Sequence, residues 1–277
     1  PTLKVSRDHD INSMPEQDIV KVITEAHKRG LKVFWSTLAP GFSEGNYDHS
    51  KVDAAWYVDY AKAIRTEILW KATLAESHGV EMISFASYPT SQLKDEHLAT
   101  IDSIAAVILS EVRAIYSGKI AVFFVDETPD LEIYGKGDYL SIGTHVQQLQ
   151  YEGLTNLKDP SVSELLQPLR NRIGKFKAVS TKYGKEVLFN ALDNPSYDGM
   201  VGTSLQIAEL QKEYRPDDTN YPLDLQEQAD ATEAVRQVIA ENSWIIGSYT
   251  FDGPLDVIWK YWNLRGKIFY NFWTISR

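Results

Sequence analysis

The chain has 277 residues, 43% of them hydrophobic, with seven Trp, fifteen Tyr and ten Phe, which is enough apolar side chain for one sizeable core. Its formal net charge of −10 is spread along the chain and excludes an electrostatic nucleic-acid surface. There is no cysteine, so disulfides, thiolate catalysis and Cys-based zinc sites are excluded as well, and no apolar run reaches the ~18 residues that membrane insertion needs.

In chain order, short β-branched and aromatic runs alternate with longer amphipathic stretches. TLKVS, at 2–6, reads as a strand. A helix follows over 15–29, where Ile19, Val22, Ile23 and Ala26 recur at three and four and Gly30 is the stop signal. LKVFWST, at 31–37, is the next strand. Val52, Trp56, Tyr60, Ile64 and Ile68 then step by four along a helix, and aromatics at that spacing form a packing face. After the strand VEMISFA, at 80–86, a further helix carries Ile101, Ile104, Ala105, Ile108, Val112 and Ile115 and closes at Ser117-Gly118. The strands KIAVFFV, at 119–125, and YLSIGTH, at 139–145, come next, then a polar loop with Pro160 and a helix over 165–183. EVLFNAL, at 186–192, a Pro- and Asp-rich linker at 215–222, a helix over 225–240 and the strand WIIGSYTF, at 244–251, complete the series.

This order predicts an α/β fold with a parallel sheet in one domain spanning 1–277, namely a (β/α)8 TIM barrel lacking its first βα unit. An open doubly wound sheet is the rival. No Gly-rich phosphate loop follows any strand, since GFSEG at 41–45 is Pro-preceded and acidic, so a dinucleotide or P-loop site is not expected.

Several stretches taken together resemble a known group. VDAAWYVDYAKAI followed by LAESHGVEMIS, then GKEVLFNALDNPSYDG, then DLQEQADATEAV with RGKIFYNFW near the end, resemble the clan A glycoside hydrolases, most closely the mannanase-like family 113, from Leu3 to Trp273. The resemblance implies a retaining mechanism with a glutamate acid/base at the end of the fourth strand and a glutamate nucleophile at the end of the seventh, ~5 Å apart. Carried over residue by residue, the acid/base position is Ser87 and the nucleophile position is Ala191, and neither side chain can do that work. The neighbours depart too. Ala86 stands where Asn or Thr is expected, Asp193-Asn194 where Gly-Tyr is expected, and TFDGPLD at 250–256 where the eighth strand end is usually Trp-rich. The resemblance with these losses implies a noncatalytic glycoside hydrolase-like barrel, without cofactor, serving as a carbohydrate-binding or structural and assembly module of an extracellular or cell-envelope protein.

The strand ends still carry acids: Asp126 and Glu127, Asp193, and Asp252. In a barrel these ends converge, so a displaced pair among them defines the alternative, an active glycosidase on a β-linked polysaccharide. Against it, Thr-Pro-Asp after Glu127 and Asn-Pro after Asp193 read as solvated turns. For a cleft that binds glycan without hydrolysing it, Trp35, Tyr88, His145, Asn190 and Phe251 are the candidate contacts, with packing at the barrel top as the other reading of the same residues. RDHD, at 7–10, invites a metal site, but adjacent residues of an extended chain point to opposite faces and no second His cluster supports it, so none is expected. Ser87 has no nucleophile-elbow context. If 2–6 is the second barrel strand, residues 3–5 should pair with 33–35 on one side. On the other they should meet a segment outside this numbering, supplied by an upstream βα unit of ~30 residues or by a neighbouring chain.

Overall fold

The structure is a computed structural model, and the residues it describes are 15–36, 54–85, 95–125, 131–143, 154, 159–190, 224–249 and 271–273. Contacts divide the chain into two compact units, Pro1–Ser141 with Asp252–Arg277, and Ile142–Phe251.

The first unit contains helices α1 (Glu16–Lys28), α2 (Ala54–Ser77) and α3 (Leu98–Ile115), and strands β1 (Phe34–Ser36), β2 (Met82–Phe85), β3 (Lys119–Val125) and the start of β4 (Tyr139–Gly143). It also contains a strand near the C-terminus, β7 (Asn271–Trp273), and the strand order is β7-β1-β2-β3-β4. β1 pairs in parallel with β2, and β2 in parallel with β3 from Met82↔Lys119 to Phe85↔Val122. The second unit takes up the end of β4 and continues with α4 (Val162–Tyr183), β5 (Val187–Asn190), α5 (Leu225–Ala240) and β6 (Ile245–Tyr249), with β5 parallel to β6. Six strands are parallel in all, the arrangement of a partial (β/α)8 barrel.

Each helix forms for local reasons. Pro15 precedes α1, Glu16 and Asp18 favour its positive end, Ile19 and Ile23 are its buried stripe, and Gly30 adopts φ 74° where Leu31 N–H closes back on the Ala26 carbonyl. Asp224 caps α5 by accepting from the Gln226 and Glu227 backbone N–H groups, both at 2.9 Å. α4 starts with Ser161 and Glu164 holding each other, and it ends at Gly184 with φ 61°.

Polar side chains tie the amino ends of the first unit's strands together. Glu81, just before β2, accepts from Val33 N–H at 2.8 Å and lies 3.3 Å from His27 Nε2. Tyr116, buried after α3, donates its hydroxyl to the Val80 carbonyl at 2.7 Å, and burial is the chief reason its phenol pKa is raised. Asp138, just before β4, accepts from Ile120 N–H at 2.8 Å and pairs with Arg113 and Lys119. Burial pushes its carboxyl up, but the hydrogen bonds from Arg113 and Ile120 outweigh that and hold it below the ordinary range.

Two features depart from the sequence pattern. The edge of β1 away from β2, expected to take residues 3–5, carries β7 in the antiparallel sense; residues 2–6 lie outside the described residues. The stretch between β3 and β4 includes a 3₁₀ turn at Glu132–Gly135, whose Glu132 and Ile133 N–H groups are both held by the Asp102 carboxylate of α3. Among the described residues no helix is long and apolar enough to cross a membrane.

Candidate functional site

In a parallel (β/α) fold, chemistry gathers at the carboxyl ends of the strands, because the loops that follow them vary without disturbing the scaffold. The parallel strands here end at Ser36, Phe85, Val125, Gly143, Asn190 and Tyr249. None of these six residues is a carboxylate.

The sequence-predicted residues follow these ends closely. Ser87 and Tyr88 come just after Phe85, Asp126 and Glu127 directly after Val125, His145 after Gly143, Ala191 and Asp193 after Asn190, and Phe251 and Asp252 after Tyr249. All nine lie outside the described residues. Asn190 is the last residue of β5, with its backbone in register with Tyr249.

Trp35 can be placed in full. It is 0% exposed in the middle of β1, and its ring meets Trp70 of α2 edge to face, with centroids 5.5 Å apart and planes at 89°. Trp70 in turn donates its indole N–H to Glu16 of α1 at 2.8 Å. A sugar stacks on an open aromatic face. Trp35 has none, so of the two readings its sequence allows, the structure has the packing one.

Two cations that the sequence did not single out are buried, one in each unit. Lys71 of α2 is 3% exposed and donates from Nζ to the Ser84 carbonyl at 2.6 Å, with Ser84 Oγ at 3.4 Å. Ser84 is the penultimate residue of β2, three positions before Ser87. Burial pushes the Lys71 ammonium down to about 7, against the opposing pull of Glu67, so near neutral pH this lysine exchanges a proton. In the second unit Arg172 of α4 is 2% exposed, with its guanidinium 5.0 Å from the centroid of the Phe176 ring. Burial lowers its pKa to about 10, which leaves it charged at neutral pH. Phe176 packs on Phe189 of β5 at 6.4 Å, and Phe189 comes two residues before Ala191.

A sequence signal for both existed. Ile64, Ile68, Lys71 and Ala75 are spaced four, three and four apart, as are Leu165, Leu169, Arg172 and Phe176, so each cation lies on the buried stripe of its helix. Chemically, Lys71 can fix the end of β2 through a main-chain carbonyl. Among the described residues, no three His, Cys, Asp or Glu side chains lie close enough to hold a metal ion.

Solved structures of similar fold belong to glycoside hydrolase family 113. A family 113 β-1,4-mannanase aligns with a TM-score of 0.56 at 16% identity, over 86% of this chain and 68% of its own. A complex structure of a family 113 β-1,4-mannanase gives 0.56 at 18% over the same shares. The family 113 β-mannanase AaManA of Alicyclobacillus acidocaldarius, in complex with ManMIm, gives 0.56 at 17%, over 87% of this chain and 68% of its own. At such identities the likeness is one of fold, the (β/α)8 barrel of glycoside hydrolases. No protein-family model matches the sequence, and no curated protein does.

Proposed function

We propose that this chain is a single glycoside hydrolase-like domain that has lost hydrolysis and is retained as a carbohydrate-binding or structural module of an extracellular or cell-envelope protein. The observation that carries this reading is the pairing of a family 113-like fold with Ser87 and Ala191 at the positions where the resemblance implies glutamates. A retaining mechanism needs one carboxyl to protonate the leaving oxygen and a second to attack the anomeric carbon. A hydroxymethyl and a methyl group supply neither.

Binding would then rest on the other candidates of the loops, with Tyr88 and Phe251 as stacking faces and His145 and Asn190 as hydrogen-bonding groups. The partner is a β-linked glycan, and β-1,4-mannan is the first to try because the similar structures are mannanases. Incubation with β-1,4-mannan, β-glucan and aryl β-glycosides should release no sugar above a blank without protein, while native gels cast with mannan should retard the chain. Retardation that survives Tyr88→Ala together with Asn190→Ala would refute the binding contacts.

The acids that follow the strand ends, Asp126, Glu127, Asp193 and Asp252, favour one second reading, an active glycosidase with displaced carboxylates. Turnover abolished by Asp193→Asn or Asp126→Asn would establish it and overturn the first.

A further inference from the structure

β1 and β2 pair in parallel through Phe34↔Met82 and Trp35↔Ile83. Met82 donates its N–H to the Val33 carbonyl at 3.2 Å, whereas the Glu81 carbonyl accepts from Lys119 N–H on the other side at 2.9 Å. Backbone groups of a strand alternate between its two neighbours, so two residues beyond Met82 the N–H and C=O of Ser84 again turn toward β1. The Ser84 carbonyl is thus the next acceptor along the β1–β2 ladder. A side chain reaches it: Lys71 Nζ of α2 donates to this carbonyl at 2.6 Å and lies 3.4 Å from Ser84 Oγ.

The surroundings hold that side chain in place. Lys71 is buried on the α2 stripe of Ile64, Ile68, Ala72 and Ala75, and its neighbour Trp70 meets Trp35 of β1 edge to face. Few charges face the ammonium. Glu67, one turn earlier on α2, favours its charged form. Glu16 of α1 accepts from the Trp70 indole, Glu111 of α3 pairs with Arg65, and β1 and β2 bring no titratable side chain. Burial outweighs the pull of Glu67 and brings the ammonium down to about 7. A hydrogen bond from a charged donor is about twice as strong as one from a neutral donor, so the strong and weak forms of the Lys71–Ser84 contact interchange near neutral pH.

We propose that Lys71 is a proton-operated latch on the carboxyl end of β2: as an ammonium it grips the Ser84 carbonyl and fixes where the β1–β2 ladder ends, and on giving its proton to solvent it slackens that grip. The latch and the whole fold then answer pH in opposite directions. Deprotonation removes a buried charge, so global stability rises, while the strand end loosens. A Lys71 with a purely structural role would show the first trend alone. A glycan site on the segment that follows β2, which carries Ser87 and Tyr88, would inherit the dependence. That consequence rests on the function proposed above; the latch itself does not.

Hydrogen exchange of the Ser84 and Phe85 amides in the full chain, expressed as protection factors so that the intrinsic pH dependence cancels, reads the strand end. As the pH rises through about 7, this protection should fall about fivefold. Lys71→Met keeps most of the side-chain volume without a donor, so the fold survives. It should hold both amides at the alkaline wild-type value at every pH. Wild-type protection that stays level or rises across this range would overturn the proposal. So would a Lys71→Met chain that repeats the wild-type fall or keeps the wild-type protection of acid pH. Retardation in mannan gels over the same range separates the two readings: a chain that never binds mannan yet shows the fall keeps the latch and loses the binding function.

Discussion

α2 and α4 each carry one cation on the stripe that faces the core, and each leads into a strand after which the glycoside hydrolase resemblance would set a glutamate. Lys71 precedes β2 and Ser87; Arg172 precedes β5 and Ala191. The two helices treat that cation differently. The Lys71 ammonium reaches a main-chain carbonyl, and burial brings its pKa down to about 7, so it can shed its charge near neutrality. The Arg172 guanidinium lies over an aromatic ring and, even with its pKa lowered to about 10, stays charged. Burial thus makes the α2 site proton-linked and leaves the α4 site a fixed charge stacked on an aromatic ring.

The largest effect should come from removing that volume. Arg172→Ala leaves a cavity under Phe176 and Phe189, and a fully buried large side chain lost in this way costs roughly 3–4 kcal/mol. Arg172→Met keeps most of the volume, gives up the charge, and should cost less than about 1.5 kcal/mol. Urea unfolding of the two variants measures the difference. Equal losses in both would mean that the charge, and not the volume, is what α4 needs, and the contrast with α2 would fail.

Next comes the proton linkage of α2. Unfolded, Lys71 titrates at about 10.4; folded, it titrates at about 7. Between those values the unfolded chain holds a proton that the folded chain has released, so stability rises with pH across the window. From pH 7 to 9.5 the rise attributable to this residue should be roughly 3 kcal/mol. Lys71→Met should flatten the slope. Parallel stability curves for the two proteins over that range would show that Lys71 keeps an ordinary pKa.

α3 is the control, because its stripe of Ile101, Ala105, Ile108, Leu109 and Val112 holds no cation. Its junction with β3 depends instead on Tyr116, whose ring closes over Gly118, leaving no room there for a Cβ. Gly118→Ala should therefore displace the ring from the Val80 carbonyl and cost about 2 kcal/mol, with no change in the pH slope. A pH slope altered by this variant would mean that part of the linkage assigned to Lys71 belongs to Tyr116, whose phenol burial holds above its ordinary pKa.

The comparison also marks how far the sequence could be read. Elements with a strong period and clear ends were legible. The helix expected at 225–240 is Leu225–Ala240, and the strand expected at 119–125 is Lys119–Val125. Strands were overextended at their described starts, as where the strand expected from Leu31 begins at Phe34. β7 escaped because three residues show no alternation, and its pairing with β1 is set by tertiary contact alone. Lys71 and Arg172 were missed for another reason: long cations are assigned to solvent by default, and only their spacing within an apolar stripe betrays burial. Trp35 shows the limit on site residues. Its sequence fitted a sugar platform and a core aromatic equally well, and contact with Trp70 decided between them. For Ser87, Ala191 and the acids beyond the strand ends, the sequence gives turn chemistry and residue identity, while the path of the loop depends on packing that no local pattern encodes.

The smallest expected effect separates the helix ends from the helix stripes. At the start of α4, Glu164 accepts the Ser161 backbone N–H at 2.9 Å and the Ser161 hydroxyl at 2.7 Å, while its own N–H donates to the Ser161 carbonyl at 3.0 Å. Glu164 also places a negative charge in the first turn, where the helix dipole favours it. Glu164→Ala removes both side-chain bonds and that charge. The helix keeps its buried stripe, so the loss should be about 1 kcal/mol, well below that of Arg172→Ala. Because Glu164 and Arg172 stand eight residues apart along α4, about 12 Å of helix rise, the double variant should lose the sum of the two single losses to within ~0.5 kcal/mol. A deficit or excess larger than that would mean that the register of α4, and with it the seat of Arg172 over Phe176, is set from the cap, and the contrast between the two cations would then be one of helix placement more than of side-chain chemistry.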